Sequence, residues 1–192
     1  MSVTQEQVDE PQEFDWKTTS DIEHLRHVRA MNLAERNIVM RKYNWSHHPV
    51  QVLGWLSAQK GIGLNSAIAC FFNGDPWRFN YLPKRDVGDE YLGQIKLLDA
   101  ILQRINAGFY LPDTNPCERA MSRLDAWLKY QREDYRDHRR GRWVIEAHAL
   151  EPLLACKRAE IENELRRETG GDAKVASAKP TLFKKLAGTL AS

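Results

Sequence analysis

The sequence predicts an all-α fold: one compact domain of short helices followed by two or three longer antiparallel helices, with a flexible tail at each end. Three observations carry this. Apolar residues recur at helical spacing, most clearly at Tyr91, Ile95, Leu98, Ile101, Leu102 and Ile105. Helix-start signals precede the stripes at Ser20-Asp21-Ile22-Glu23 and Asn32-Leu33-Ala34-Glu35, where a capping side chain and a glutamate satisfy orphan amides reciprocally. Runs that alternate apolar with polar residues are scarce.

The first 19 residues are polar and acidic, broken by Phe14-Asp15-Trp16, and read as a flexible arm with one adhesive spot. From Ser20, Ile22, Leu25 and Val28 form one helical stripe, and Leu33 with Met40 a second that runs to Tyr43. Pro49 suits a first helical position and opens a short apolar helix through Leu56. Gly61-Ile62-Gly63 is a turn, after which Asn65 or Ser66 is expected to cap a helix through Phe72. Asn73-Gly74-Asp75-Pro76 ends it, with the glycine expected in the left-handed conformation.

Trp77 to Pro83 is aromatic and weakly alternating. With no partner strand in sight, it reads as an extended loop laid on helices. A helix from Asp89 is closed by Gly108. Pro116 opens a long helix with the stripe Cys117, Met121, Leu124, Leu128 and Tyr135. Gly141 would cost about 1 kcal/mol inside a helix. A turn or sharp bend is therefore predicted at Arg140 to Arg142, with a helix from Trp143 to Glu168 folding back on the first. The helical body thus spans 20–169. The tail 170–192 holds a short basic amphipathic segment, Pro180 to Leu190, of the kind that docks in a partner groove or on a membrane surface.

The chain has 192 residues and a net charge of +2, so any electrostatic function must come from local clustering. Cys70, Cys117 and Cys156 lie far apart without a Cys-x-x-Cys pair, which argues for reduced thiols rather than a disulfide framework or zinc knuckle. The N-terminus lacks the basic and apolar regions of a secretory signal, and no apolar run is long enough to span a membrane; the cytoplasm is the expected location.

Arg136, Arg139, Arg140 and Arg142 form the one local basic cluster, flanked by Tyr130, Tyr135 and Trp143. Guanidinium forks suit phosphates and carboxylates, and the aromatics suit stacking on single-stranded nucleic acid. Glu133, Asp134 and Asp137 interleave, so a solvated helix face with intrahelical ion pairs is the plainer reading. Trp45, Trp55 and Trp77 sit on or beside short helices and serve either as core or as a protein-binding face, because tryptophan is enriched at interaction hot spots. Asp21, His24 and His27 share one helix face and form the best local cluster for a metal, although a third strong ligand is missing. His47-His48 lies in a loop where capping is the simpler role. Gly61-Ile62-Gly63 lacks the residues of a phosphate-binding loop. No serine stands in a nucleophile elbow, and inward-facing Glu-x-x-His repeats of a di-iron bundle are missing around Asp134, His138, Glu146 and His148.

Tyr43-Asn44-Trp45 at a helix end, the apolar Val50 to Leu56 helix, the Leu64 to Phe72 helix and the aromatic Trp77 to Tyr81 occur in that order. Over roughly residues 33–82 this pattern resembles a family of small bacterial helical domains of unknown function. The resemblance implies a bacterial origin and a helical scaffold, and carries no activity or residue role. Where such domains bear an acidic loop after Tyr-Asn-Trp, this sequence has Ser46-His47-His48. The expectation is a non-catalytic bacterial cytoplasmic binding protein of the accessory or immunity kind, with a protein partner and no cofactor. One alternative is a nucleic-acid-associated protein using Arg136 to Arg142. The other is a metal-dependent enzyme centred on His24 and His27.

Overall fold

In the computed structural model the described residues, 14–112, 118–155 and 159, form a helical fold with no strand among them. The helices are α1 (Asp21–Ala30), α2 (Leu33–Lys42), α3 (Pro49–Ser57), α4 (Leu64–Asn73), α5 (Pro76–Phe79), α6 (Asp89–Asn106) and α7 (Glu118–Arg136). Short 3-10 turns occur at Lys84–Asp86 and Ala147–Leu150.

The middle of the fold is α4. Every residue from Leu64 to Phe72 is buried, so the helix is enclosed on all sides, as an all-round apolar sequence requires. It packs on α2, α6 and α7, while α3 bridges α1 and α6. The α6 stripe is the one expected from its period, with Ile95, Leu98, Ile101, Leu102 and Ile105 all buried. Its end is also as expected: Gly108 is left-handed at φ 66°, and the Phe109 amide donates to the Arg104 carbonyl. A lone parallel bridge between Gly63 and Leu111 then ties the chain after α6 to the start of α4.

The two capping boxes form as the sequence predicts, Ser20 with Glu23 and Asn32 with Glu35. Other local expectations are corrected. Asn65 and Ser66 lie inside α4 rather than capping it; the side chain of Asn37, reaching from α2, accepts the Gly63 amide 2.8 Å away. At the end of α4 the left-handed residue is Asp75 (φ 50°). Gly74 is needed for space instead, since a Cβ there would meet the Trp45 ring. The stretch read as an extended loop from Trp77 begins with a helical turn, α5, started by Pro76. On α7, Tyr135 leaves the stripe and is 79% exposed, while Trp127, Leu128 and Asp134 are buried.

The largest correction concerns residues 143–150. The expected helix does not begin at Trp143; among the described residues from 143 on, helix is found only at 151–155 and 159. α7 ends in a Schellman motif, with His138 left-handed (φ 55°) and the Arg139 amide donating to the Asp134 carbonyl at 2.8 Å. The chain therefore turns before Gly141, and 142–146 runs extended across the helices before the Ala147–Leu150 turn. The physical reason lies in Trp143-Val144-Ile145. Trp143 and Ile145 are buried and Val144 half-buried, the alternation of an extended chain, and these residue types favour it. The tail 170–192 and its amphipathic segment lie outside the described residues, as does most of the stretch expected to complete the second long helix. Residues 14–19, expected to belong to a flexible arm, instead lie on α1, with Trp16 packed against the core.

The crossing of the extended segment over residue 80 leaves no room for a side chain at Gly141, where a Cβ would overlap the Asn80 amide. Asn80 cannot step aside, because its carbonyl side-chain oxygen accepts the buried Trp143 amide at 3.1 Å. Gly141→Ala is expected to destabilise the fold by about 1–3 kcal/mol, the usual range for overpacking. Thermal or urea unfolding measures it.

Candidate functional site

The extended segment 142–146 and the end of α7 enclose a cleft of about 630 Å³. One wall is α7, from Trp127 to Arg136; the other runs from Arg139 to Ala147. The segment is held off α7 by side-chain amides. Gln131 on α7 donates to the Ile145 carbonyl (3.0 Å) and accepts the Ile145 amide (2.9 Å). Asn106 on α6 donates to the Val144 carbonyl (2.8 Å) and accepts the Glu146 amide (3.0 Å). Asn80 accepts the Trp143 amide on its side chain and the Arg142 amide on its main chain. The Trp143 indole N–H donates to Asp99 at 2.6 Å, which fixes the ring.

The arginines divide. Arg136, Arg139 and Arg140 line the cleft, and Arg132, one turn before Arg136, joins them. Sequence reasoning missed Arg132, although its spacing of four from Arg136 on one helix is the signal that could have found it. Arg142 is drawn out of the cluster: it is half-buried, donates to the Leu82 carbonyl at 2.9 Å and lies over the Trp143 ring. Its role is to seat the segment.

The expected intrahelical ion pairs are few. Arg139 takes both nearby carboxylates, Asp134 at 3.4 Å and Asp137 at 3.1 Å. Asp134 is buried and also accepts the Tyr81 hydroxyl. Burial and that bond to Asp134 push the Tyr81 phenol above its ordinary range. Arg132, Arg136 and Arg140 make no ion pair with another described residue. The interleaved acids thus neutralise one guanidinium and leave the others to the cleft. Tyr130 lines the cleft beside Trp127, whose ring is tilted against it, and meets Tyr81 edge-on behind.

Trp45, Trp55 and Trp77 do not share one face. Trp45 fills the space over Gly74, Trp55 lies between the guanidinium groups of Arg29 and Arg36, and Trp77 stacks on Phe72 against Trp127. Each is a half-buried packing element. The histidines are regrouped as well. His24 is fully buried, its Nδ1 2.6 Å from the Tyr43 hydroxyl, whereas His27 stacks on Phe14. His47 and His48 come to the His24 ring from the turn before α3. His48 occupies the cap position of α3 but makes no capping bond through its side chain. Among the described residues no group of three or more histidine, cysteine or acidic side chains has the arrangement to hold a metal ion. Cys70 is buried in α4, and burial pushes its thiol far up.

Comparison with protein-family models, with curated proteins and with solved structures finds no match. No described helix is long and apolar enough to cross a membrane.

Support and rim separate cleanly. Gln131→Ala leaves the buried Ile145 amide and carbonyl without partners and is expected to cost about 1–3 kcal/mol. Arg136→Gln with Arg140→Gln, both exposed and unpaired, is expected to change stability by no more than about 0.5 kcal/mol. Denaturant unfolding of the two proteins side by side makes the comparison.

Proposed function

We propose that the chain is a non-catalytic binding protein, bacterial and cytoplasmic, of the accessory or immunity kind, and that the cleft beside α7 grips an acidic segment of a protein partner. The observation that carries this is the combination of a guanidinium rim with an aromatic and apolar wall in one cleft. Arginine and tryptophan are the residues that most often anchor protein interfaces. Guanidinium forks pair carboxylates bidentately, and the exposed rim steers an acidic partner in. The cleft's own carboxylates, Asp134 and Glu146, are outnumbered by its arginines, and Asp134 is already paired. The size, about 630 Å³, fits a few side chains of a short segment better than a whole domain surface. The family of small helical domains suggested by residues 33–82 is compatible with such a role.

A second reading has its own support. Tyr135 is 79% exposed and Tyr81 42% exposed beside the same arginines, which offers stacking platforms for single-stranded nucleic acid. The metal-dependent alternative gains no such support: among the described residues His24 and His27 belong to no group of three or more side chains arranged to hold a metal ion.

Affinity capture from the native cell, with and without nuclease, tests the proposal. The expected result is a protein retained by the wild-type chain after nuclease treatment and lost with Arg136→Gln, Arg140→Gln, at unchanged melting temperature. Retention of that protein by the double variant would refute the assignment to this cleft. Loss of all bound material on nuclease treatment would favour the nucleic-acid reading.

A further inference from the structure

Far from the arginines, the start of the described chain is held by rings. Phe14 stacks on His27 with centroids 3.9 Å apart and planes 7° apart. Trp16 meets His24, His27 and Tyr43 edge-on at 5.1, 5.4 and 5.8 Å. Beneath them His24 is sealed from solvent, with the His48 and His47 rings at 5.1 and 6.0 Å. Trp16 also walls an apolar hollow of about 320 Å³ over Val39 and Tyr43.

We propose that residues 14–19 form a clasp on α1 and the 43–48 turn that lets go when His24 takes up a proton. The hydrogen bonds favour the neutral ring. Tyr43 Oη accepts the His48 amide at 3.4 Å, and in the ring tautomer with a bare Nδ1 it donates its own proton to His24 Nδ1, 2.6 Å away. A protonated His24 would carry a hydrogen on Nδ1 and turn that bond around, so the buried Tyr43 hydroxyl proton would lose its acceptor. The charge itself would sit in a sealed site facing two further imidazoles.

The groups around His24 pull in both directions. From the arm come Asp15 and Lys17, which is tied back to Asp15 through its amide. From α1 come Asp21, Glu23 and His27, and Glu23 is engaged by the Ser20 cap. From α2 and the turn come Lys42, Tyr43, His47 and His48, while α3 has no charged residue. Burial, then His48 and His47, hold the His24 ring below the ordinary histidine range; the main chain of Trp16 and the Glu23 carboxylate oppose them more weakly.

The closed clasp therefore binds a proton on His24 less readily than the open one, where the ring returns to about 6.5. The clasp's stability is complete above that value and falls as pH drops through it. Release uncovers the His24 site and opens one wall of the hollow.

The test follows the Trp16 indole N–H signal in the ¹⁵N-labelled full chain, assigned through Trp16→Phe, between about pH 7.5 and 5, a range that brackets the ordinary histidine value. The expected result is that Trp16 moves to the position of a free indole in acid while the other tryptophan signals stay dispersed. In His24→Gln, Trp16 is expected to hold its position. His47→Asn with His48→Asn, in which asparagine suits the cap of α3, removes the two imidazoles facing His24 and moves release to lower pH, and it decides the matter if His24→Gln does not fold. A Trp16 signal that never moves, signals that all collapse together, or a transition unchanged in every folded variant would overturn the proposal.

Discussion

The segment 142–146 runs extended as a strand would, but without a sheet, and side-chain amides stand in for the missing neighbours. Buried main-chain donors and acceptors must find partners, and a lone strand has none of its own. Asn80, Asn106 and Gln131, from a loop and two helices, supply them on both sides of the strand. The alternation of Trp143 and Ile145 inward then gives the segment an apolar reason to lie there. Without these bonds the strand would lose its register on α6 and α7, and the second wall of the cleft with it.

The end of α7 is shaped to the same purpose. Its apolar stripe runs from Leu124 through Trp127 and Leu128, and the next positions on that face are Gln131 and Asp134. Polar side chains thus replace core residues just where the helix must hold the strand and the Tyr81 hydroxyl instead of another helix. The Schellman turn at His138 throws the chain across to Arg139 and Arg140 so that arginines stand on both lips. A single buried carboxylate, Asp134, fixes Arg139 and spares the others. The result is a positively rimmed cleft in a chain of nearly balanced charge.

The helical part of this was legible in the sequence because helices announce themselves locally. Ser20 and Asn32 capping boxes, Pro49 at a first position and the α6 stripe closed by Gly108 each depend on residues a few places apart. The cleft was legible in half. The arginines were visible as a cluster, but the burial of Arg142 and the arrival of Arg132 depend on where the strand crosses. A break was expected at Arg140 to Arg142 because of Gly141, but the helix already ends at Arg136 and the chain turns at His138. The first part of what followed was misread because Trp143 to Leu150 also fits a helical period, and the alternation of Trp143, Val144 and Ile145 is too short to compete on pattern alone; helix does resume at 151–155. The amides that settle the matter lie 14 to 63 residues away in sequence. The histidine cluster was hidden for the same reason: His24 meets His47 and His48 only after α1 and α3 pack together.

The claim on which the cleft rests is that the strand's amides are bonded as securely as those of a helix. Native-state hydrogen exchange of the main-chain amides of Arg142, Trp143, Ile145 and Glu146 measures this directly. The account predicts protection approaching that of the buried helix α4, because each amide donates to a fixed acceptor. Exchange at the rate of an open loop, with α4 still protected, would contradict it.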